Sequence, residues 1–598
     1  MRSQTLQRST LFLFTMAAFF AQATRAAGPP NTYLVHNLVA DQPGIADFTD
    51  PNLVNPWGLY TSGTSPFWVN DAGTGLATVY TSNGSIAAVK PSIPPSAKGS
   101  SPALVTGGIF NGTGGFLVQG KSPNFIFVTA DGTISAYVSS ISTAQAQLAL
   151  DNSSNGAVYY GLAVNSTTTS SAPQLYVANF ASGKIEVYDT NYKPVTPTGN
   201  FTDSAVPSGY GPFNIWNLGG KLYVMWAQQN SNKTFATTGA GLGAVSIFDL
   251  NGNLLQHLAT GGKLNAPWGV AIAPASFGAF ANDVLVGNFG DGTINAFDPA
   301  TGNSLGQLMD QNGNLIVLSG LWGLLLGNGG SGGDPNAIYF AAGTGNQKHG
   351  LLGSIQAPPT LTGVVNAADT QSAIAPNTYI SIYGADLSPV TRNWTNSDFS
   401  GTSLPTSLGG ISVSVDGKAA FVYYISPKQI DVLTPIDSAA GPVPVQVTNN
   451  GMPSNSMQTT EQTVSPAFFL LKDGTSIAAI HSNGSIVGAT SLYTGESSPA
   501  IPGETIALYG TGFGTSSPSV TTIGVVTAPV SGSTSAVTVS FGGTSAQVTY
   551  FGLVGAGIYQ INVVVPSGVA AGNAAVTAAV GGVSTASNAI VTVGSAGQ

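Results

Sequence analysis

Residue types that commonly carry catalytic chemistry are few and scattered along this chain of 598 residues. The chain has no cysteine, which excludes disulfides, thiol catalysis and cysteine metal ligands. Its four histidines lie far apart, at His36, His257, His349 and His481. They form no His-x-x-x-His pair and have no carboxylate cluster at ligand spacing. The sequence therefore predicts neither a zinc site nor histidine-based catalysis, and it places the histidines at the surface or at sheet edges.

Two other chemistries have only partial signatures. A hydrolase with a nucleophile elbow carries Gly-x-Ser-x-Gly between a strand and a helix. The stretches GTSPFW, GNGGSGGD and GTSSPS contain glycine and serine without that context. GNGGSGGD, Gly327–Asp334, is as glycine-rich as a phosphate loop but lacks the lysine and the following helix. We interpret it as a flexible loop between two strands.

Carboxylates recur at equivalent turns instead of gathering in one motif. The chain has 25 acidic residues, and the recurring ones are Asp71, Asp131, Asp189, Asp249, Asp291 and Asp298. Aspartate hydrogen-bonds nearby backbone N–H groups in turns, so the sequence predicts a structural role for these residues. A calcium loop would need several oxygen ligands within about a dozen residues. Calcium held by single Asn or Asp side chains from different repeats stays open, and no other cofactor is predicted.

Short β-strands must position these residues, because the composition is that of an all-β protein. Glycine is abundant at 77 residues, and charged residues make up 7% of the chain, against about 25% in ordinary globular proteins. The stretch VLVGNFGDGTINAFD, Val284–Asp298, has the strand, turn and alternating strand of a hairpin. Similar hairpins begin at Pro66, Asn124, Gln174, Lys221 and Ala337.

A further strand precedes most of these hairpins, as in NPWGLY from Asn55 and APWGVAIA from Ala266. The spacing between units, about 50 residues, is typical of four-stranded propeller blades. Six units predict a six-bladed β-propeller over residues 32–357. The last unit lacks a fourth strand, and TYLVHNLVA from Thr32 is predicted to supply it, which would close the ring without an open edge.

Six residues of the predicted propeller are candidates for ligand binding. Each tryptophan precedes the glycine of a predicted innermost strand, and each asparagine ends a predicted second strand: Trp57, Trp268, Trp322, Asn70, Asn179 and Asn288. The tryptophans either pack between blades or line the mouth of the channel, where they could stack on a sugar. The asparagines either present amides at one face of the ring or hold the turns. The sequence favours the structural role for both sets.

A second repeat, of about 126–131 residues, follows the linker APPT. NTYISIYGADL from Asn377 matches GETIALYGTGF from Gly503, and Gln429-Ile430-Asp431 matches Gln560-Ile561-Asn562. Both copies consist of alternating strands. They predict two immunoglobulin-like β-sandwich modules over residues 361–470 and 471–598, without the Cys–Trp–Cys pattern of antibody domains.

The first 26 residues have the pattern of an export signal: a basic start, the apolar LFLFTMAAFFA and small residues at the end. Cleavage after Ala26 would leave no second apolar stretch of that kind, so we predict an exported protein without a membrane span. An exported protein without cysteine is typical of bacteria more than of animals. The net charge of −9 and the absence of a basic patch argue against nucleic-acid binding.

Two regions resemble known families. GVVNAADTQSAIAPNTYISIYGADLSP and the later GIYQINVVVP resemble an uncharacterised C-terminal domain of exported proteins from soil acidobacteria such as Solibacter, over about residues 361–595. YLVHNLVADQPGIADFTDPNLVNPWGL and APWGVAIAP resemble an uncharacterised bacterial family of exported propeller-like proteins. Both resemblances imply fold and export, and neither implies an activity or a catalytic residue.

The sequence favours a non-catalytic protein that binds an extracellular glycan or a surface protein through its propeller. The immunoglobulin-like modules would serve as spacers or attachment modules, and the protein is predicted to be monomeric, outside the cell or in the periplasm. The alternative is a calcium-type propeller hydrolase or lactonase with its site in the central channel. Fold alone does not choose between these functions.

Overall fold

The computed structural model describes residues 31–99, 101–165, 172–401, 403–436, 440–514, 530–531 and 537–595, so the predicted signal peptide lies outside it. Over these ranges the protein is all-β, as predicted. Its helical segments there are single turns at Ser153–Asn155, Gly278–Phe280, Thr344–Gln347 and Asn396–Asp398. Among the same residues, no helix has the length and apolar character needed to cross a bilayer.

The described part of residues 34–356 forms six sheets, the blades of a propeller. Blade 1 contains Pro56–Tyr60, Phe67–Asp71 and Leu76–Tyr80, and blade 2 contains Val105–Phe110, Phe125–Thr129, Thr133–Tyr137 and Gln147–Asp151. Blade 3 contains Tyr159–Val164, Leu175–Asn179 and Lys184–Tyr188, and blade 4 contains Tyr210–Leu218, Lys221–Gln228, Gly243–Phe248 and Leu254–Thr260. Blade 5 contains Pro267–Ile272, Val284–Asn288, Ile294–Phe297 and Ser304–Gln307. Blade 6 contains Leu321–Leu326, Ile338–Ala342, Leu351–Gln356, Leu34–Ala40 and Phe48–Thr49.

The N-terminal strand closes the ring as the sequence predicts. Leu34–Ala40 pairs antiparallel with Leu351–Gln356, the last strand of blade 6. The first strands of successive blades contact one another all the way round, and that of blade 6 contacts that of blade 1. This pairing of the two ends of the propeller covers the edge that blade 6 would otherwise expose.

The glycine that follows the aromatic residue in several first strands allows the blades to approach closely. A Cβ added at Gly269 would lie 2.5 Å from the carbonyl oxygen of Trp322, and one at Gly323 would lie 2.9 Å from that of Trp57. Real Cβ atoms almost never come so close to a backbone oxygen. The Trp-Gly pairs of the sequence therefore mark the narrowest part of the ring, where neighbouring first strands meet.

The first immunoglobulin-like module is a two-sheet sandwich. One sheet contains, in order, Thr360–Asn366, Tyr379–Ala385, Gln429–Leu433, Phe421–Ile425 and Arg392–Asn393. The other contains Ala373–Ile374, Met457–Glu461, Gly441–Asn449, Ile411–Val415 and Ser407–Leu408, with Lys418–Ala419 and Met452–Pro453 at its side. Buried aliphatic residues such as Ile382, Val413 and Ile430 form the core between the sheets.

The second module has the same sandwich character, with its sheets joined by one long strand, Thr544–Gly555. Its sheet order is Ser497–Ser498, Ile486–Val487, Ala479–Ile480, Thr505–Thr511, Ile558–Val564, Thr544–Gly555, Thr538–Phe541, Gly572–Val580 and Val583–Ser584. Ala467–Phe468, Val530–Ser531 and Ile590–Val593 pair beside that order. The core includes Leu508, Phe541 and Ile561, all fully buried.

Candidate ligand site at the mouth of the propeller

Aromatic side chains fill the centre of the propeller. They come from equivalent positions, near the start of the first strand, in five of the blades: Trp57, Tyr160, Phe213, Trp268 and Trp322. Trp57 stacks on Trp322 with ring centroids 3.4 Å apart, and Tyr160 also stacks on Trp57 at 5.3 Å. Stacked and edge-to-face rings hold the first strands together where a wider propeller would have an open channel.

The three predicted tryptophans belong to this packed centre. Trp57, Trp268 and Trp322 are 4%, 2% and 0% exposed. The indole Nε1 of Trp57 donates to Asn55 Oδ1 at 3.2 Å. The indole N–H groups of Trp268 and Trp322 have no hydrogen-bond partner among the described residues, and each such buried donor costs about 1–3 kcal/mol. Packing between blades is thus their structural role, and Trp57 also borders a cavity described below.

The three predicted asparagines are buried and use their amides within the protein. Asn70 joins blade 1 to blade 2, Asn288 holds the connection that enters blade 5, and Asn179 braces its own hairpin in blade 3. Their amide hydrogen bonds are Asn70 Nδ2 to Thr106 O at 3.1 Å, Asn288 Nδ2 to Lys263 O at 2.8 Å and Asn179 Nδ2 to Glu186 Oε1 at 2.7 Å. These contacts hold the turns and join the blades.

A loop of blade 4, residues 229–242, reaches over one end of the aromatic centre. Its Phe235 lies 5.4 Å from Phe289 and 6.2 Å from Trp57 between ring centroids. The loop is braced by Asn230, whose Oδ1 accepts from Thr234 N at 2.9 Å and whose N–H donates to Phe235 O at 2.9 Å. Phe235 is therefore held over the rings, half-buried, at the surface of the propeller.

Two cavities flank Phe235 at this end of the ring, and together we call them the mouth site. One, of about 280 Å³, is lined by Asn55, Trp57, Tyr160, Thr234, Phe235 and Gln347 among others. The second, of about 390 Å³, is lined by Phe235, Phe289, Asn346 and Gln347 among others. Aromatic faces and amide groups thus line both cavities of the mouth site, which is the usual composition of a small-ligand site.

The backbone at the rim of the mouth site is strained. Gly345, Asn346 and Gln347 have φ angles of 59°, 57° and 66° in succession, at the hairpin corner of blade 6. Left-handed backbone at non-glycine residues costs about 1 kcal/mol or more each and concentrates at functional sites. The amide of Asn55 donates to Gln347 Oε1 at 3.4 Å, which ties this corner to the other side of the mouth.

Most of the recurring aspartates hold turns, as predicted. Asp291 Oδ1 accepts from Thr293 N at 3.0 Å, and Asp189 Oδ1 accepts from Lys193 N at 2.9 Å. Asp71 differs, because it is fully buried and burial raises its pKa well above the usual range. Among the described residues no three His, Asp or Glu side chains gather as a metal would require.

The four histidines make carboxylate contacts that the sequence did not indicate. Each lies within hydrogen-bond distance of a carboxylate in the structure, although the sequence shows no His–carboxylate motif. The pairs are His36–Asp47 at 2.9 Å, His257–Asp203 at 2.6 Å, His349–Asp41 at 2.8 Å and His481–Glu504 at 3.1 Å. His481 is also buried, with a side chain 9% exposed, instead of lying at the surface.

Sequence reasoning missed Tyr160, Phe235 and Gln347 at the mouth. Tyr160 had a usable signal, because it precedes Gly161 as Trp57 precedes Gly58. Phe235 and Gln347 lie in loops whose course depends on the closed ring, so their approach to Trp57 has no local sequence mark.

Comparison with known proteins agrees with this architecture. Residues 364–465 and 490–592 match the IPT/TIG domain family, whose two matches fall on the two sandwich modules. The protein is therefore a β-propeller protein with tandem C-terminal TIG modules.

The chain belongs to the family of two mimivirus proteins. It is 34% identical over 334 residues to "Uncharacterized protein R648" of Acanthamoeba polyphaga mimivirus, covering 54% of this chain and 80% of that protein. It is 30% identical to "Uncharacterized protein L690" of the same virus, covering 54% of this chain and 86% of that protein. These relatives are viral, so the expected bacterial family is supported in its general architecture only.

Several solved propeller structures are similar at low levels. A streptogramin B lyase is 12% identical with a TM-score of 0.31, covering 54% of this chain and 97% of that one. The PQQ-bound aldose sugar dehydrogenase of Streptomyces coelicolor is 12% identical with a TM-score of 0.32, covering 55% and 100%. Similarity at this level carries no information about function.

Proposed function

We propose that this is a modular binding protein that recognises an extracellular glycan at the mouth site of its propeller. The observation that carries the proposal is the pair of cavities flanking Phe235, where rings of the aromatic centre meet the amides of Asn55 and Gln347. The TIG modules would act as spacers or as attachment modules.

The chemistry of the mouth fits a sugar. Pyranose rings present apolar C–H faces, which stack on aromatic side chains, and hydroxyl groups, which bond to amides. Trp57, Tyr160 and Phe235 supply rings, while Asn346 and Gln347 supply amides on the strained corner. Cavities of about 280 and 390 Å³ fall near the lower end of the range for ligand sites, about 300–1,000 Å³, so one or two sugar units would fit.

A glycan array probed with the full chain, followed by calorimetry on the glycans it retains, tests the proposal. Phe235→Ala should weaken binding about tenfold or more, equivalent to about 1.4 kcal/mol, because Phe235 borders both cavities. Phe48→Ala is the matched control, since Phe48 is an exposed aromatic residue on the outer edge of blade 6. Absence of glycan binding by the full chain, or equal loss in both variants, would contradict the proposal.

The alternative of a calcium-type hydrolase in the central channel requires convergent Asn, Asp or Glu side chains. The described centre is occupied by aromatic rings, and the predicted asparagines bond to neighbouring strands and connections. These observations favour binding over channel chemistry. Metal analysis of the purified protein, with thermal unfolding with and without calcium, tests the alternative directly.

Export and a monomeric state belong to the same proposal. Residues 1–26 have the pattern of an export signal. Export is also required by the proposal, because a protein that binds an extracellular glycan must leave the cytoplasm. Fractionation of the producing cells with N-terminal sequencing of the mature chain tests export, and light scattering tests the monomer.

A further inference from the structure

Three side chains of the second TIG module lie in line in the order serine, histidine and glutamate. Ser498 Oγ is 3.0 Å from Nε2 of His481, and Nδ1 of the same ring is 3.1 Å from Oε2 of Glu504. Nucleophile, base and orienting carboxylate stand in this relation in serine hydrolases on several unrelated folds, where geometry and not sequence order identifies them.

Neighbouring strands of one sheet bring the three residues together. His481 directly follows Ala479–Ile480, which pairs with Thr505–Thr511, and Glu504 directly precedes that second strand. Ser498 ends Ser497–Ser498, which pairs in parallel with Ile486–Val487, the partner of Ala479–Ile480. Each residue therefore lies at the end of a strand, on a backbone fixed by sheet pairing.

Glu504 is held so that it can set the state of the histidine ring. Its second oxygen, Oε1, accepts a hydrogen bond from the backbone N–H of Ile501 at 2.7 Å. When the ring proton of His481 is on Nδ1, it points at Oε2 and Nε2 is free to accept from the hydroxyl of Ser498. In this state the Ser498 hydroxyl donates to Nε2.

The burial of the three residues increases from the nucleophile to its partners. Ser498 is exposed, whereas the side chains of Glu504 and His481 are 25% and 9% exposed. Ser498, His481 and Glu504 border one cavity of about 370 Å³. The hydroxyl thus faces a space that can hold a substrate, with its base shielded behind it.

The same cavity offers donors for a negatively charged oxygen. Ser482 and Asn483 line it and follow His481 in the turn between two strands. The hydrogen bonds of the described residues leave the backbone N–H groups of Ser482 and Asn483 without an acceptor. We assign these two N–H groups, on residues that line the same cavity as Ser498, as the donors of an oxyanion hole.

We propose that the second TIG module hydrolyses carboxylic esters, with Ser498 as nucleophile, His481 as general base and acid, and Glu504 as positioning residue. Ser498 Oγ bonds to the acyl carbon while Nε2 of His481 takes the hydroxyl proton. The ester C–O bond breaks, and the departing alkoxide takes that proton from Nε2 and leaves as the alcohol. Water then attacks the acyl carbon while Nε2 takes one of its protons. The bond between the acyl carbon and Oγ breaks, Oγ takes that proton back from Nε2, and the carboxylic acid leaves.

The Ser498 carbonyl oxygen also lies 3.0 Å from Nε2 of His481. This carbonyl oxygen has no proton to give to Nε2. It accepts a hydrogen bond from Nε2 once the ring has taken the serine proton. Glu504 on one side and this carbonyl on the other then stabilise the imidazolium that forms during acylation.

The lining of the cavity indicates the size and polarity of the ester. Pro499 and Ile501 supply apolar surface for a short acyl chain, while Asn483, Ser485 and Ser595 supply polar groups suited to a hydroxylated alcohol. The substrate class is therefore a short-chain ester of a polyhydroxylated alcohol. This activity is separate from ligand recognition at the mouth site and survives if that proposal fails.

Covalent labelling tests the nucleophile without knowledge of the natural substrate. The full chain is treated with a fluorophosphonate, which phosphonylates activated serines, and the adduct is located by peptide mass spectrometry. The expected result is one major adduct on Ser498, absent in Ser498→Ala. Labelling spread over many serines, or absent from Ser498, would overturn the proposal.

Hydrolysis of p-nitrophenyl acetate and p-nitrophenyl butyrate by the same preparations tests turnover. Ser498→Ala and His481→Asn should each lower kcat/KM by about 10²-fold or more. Ser498→Ala removes only an exposed hydroxyl, so the fold should survive, and thermal unfolding confirms that. Hydrolysis unchanged by Ser498→Ala would overturn the proposal.

Two matched variants control for general effects. His257→Asn removes a histidine that also pairs with a carboxylate and lies 3.1 Å from a hydroxyl, that of Thr260, in the propeller. Ser372→Ala removes an exposed serine at the corresponding place, 126 residues earlier, in the first module. Both should keep labelling and turnover within twofold of the wild type, and a loss as large as that of Ser498→Ala would overturn the assignment.

Discussion

The two TIG modules share one strand register and differ in what surrounds it. In the first module Tyr383 pairs with Gln429, and in the second Tyr509 pairs with Gln560, as the aligned repeats predict. The next inward pair is apolar and buried in both copies, Ile382 with Ile430 and Leu508 with Ile561. These two strands form the common frame of the sandwiches.

Beside this frame the modules diverge. In the first, Thr360–Asn366 runs along Tyr379–Ala385 as one long strand. In the second, two short strands, Ala467–Phe468 and Ala479–Ile480, take that place, and a turn after Ala479–Ile480 carries His481. Glu504 corresponds to Thr378, whose hydroxyl is buried and bonded within its own module. The two shared strands carry the buried core of each module, whereas the segments beside them differ and can carry different functional side chains.

The largest effect is expected from a substitution at Glu504, which only the second module has at this position. Glu504→Gln keeps the size of the side chain but cannot hold the Nδ1 proton as a carboxylate does, so kcat on p-nitrophenyl acetate should fall about 10²-fold or more. KM should stay within about twofold, because Glu504 acts through His481. Steady-state kinetics of the full chain separate the two constants.

Asp203→Asn is the control for this charge removal, since Asp203 pairs with His257 in blade 4 at 2.6 Å. It should leave turnover unchanged. Glu504→Asp should recover part of the lost kcat, because a carboxylate is restored. Equal kcat in Glu504→Gln and wild type would show that the glutamate only supports the turn at Ile501.

The fold could be predicted because the sequence patterns that indicate it lie within short segments of the chain. Each blade is a hairpin with a preceding strand, so periodicity within about 50 residues predicts it. The closing strand was predicted because the last unit shows no fourth strand before the linker, while the apolar TYLVHNLVA precedes the first unit. The Trp-Gly pairs marked the innermost strands, and the structure adds the reason, which is the close approach of neighbouring blades at Gly269 and Gly323.

The candidate sites were harder to predict because they depend on contacts between distant turns. The mouth site joins the hairpin corners of blades 4 and 6, more than 100 residues apart in sequence. The Ser498, His481 and Glu504 arrangement depends on the order of strands only two residues long, Ser497–Ser498, Ile486–Val487 and Ala479–Ile480. Strands of two residues are too short to show an alternation of apolar and polar residues. The sequence therefore does not predict which strand ends lie close together.

A smaller effect is expected at Asp386 of the first module, whose counterpart in the second is Gly512. Both have left-handed backbone, with φ of 55° and 77°. Burial, followed by the nearby charge of Asp334 in the propeller, raises the pKa of Asp386 to about 7. A carboxyl whose folded pKa is raised stabilises the fold fully below its unfolded pKa, and that contribution is lost as the pH rises through about 7.

Asp386→Asn should therefore raise the melting temperature at pH 8, by the equivalent of about 1–2 kcal/mol, and leave it nearly unchanged at pH 4. Thermal unfolding of the full chain at both pH values measures this. Asp416→Asn is the control, since Asp416 is exposed in the same module and has a φ of 49°. A gain of equal size at both pH values would point to backbone preference instead of charge.

The smallest effect is expected at an aligned position of the common strands, where the first module has a carboxylic acid and the second has an amide. Asp431 in the first module and Asn562 in the second occupy the same place, and each accepts from the preceding glutamine, at 2.8 and 2.7 Å. Burial raises the pKa of Asp431, although hydrogen bonds from Gln429 and Ser381 act against it. The contribution of Asp431 to the stability of the folded protein is therefore complete at low pH, and it declines as the pH rises and the carboxyl ionises.

Exchange of the two residues separates burial from hydrogen bonding. Asp431→Asn should raise stability at pH 8 by about 1 kcal/mol or less, and Asn562→Asp should lower it by a similar amount, with both differences vanishing near pH 4. Thermal unfolding of the paired variants across that range provides the measurement. A loss of stability at pH 8 in Asp431→Asn would mean that the hydroxyl of Ser381, 2.7 Å away, stabilises the charged form more than burial penalises it. The second module has Ala507 where the first has Ser381, so the neutral Asn562 is the partner expected where that hydroxyl is missing.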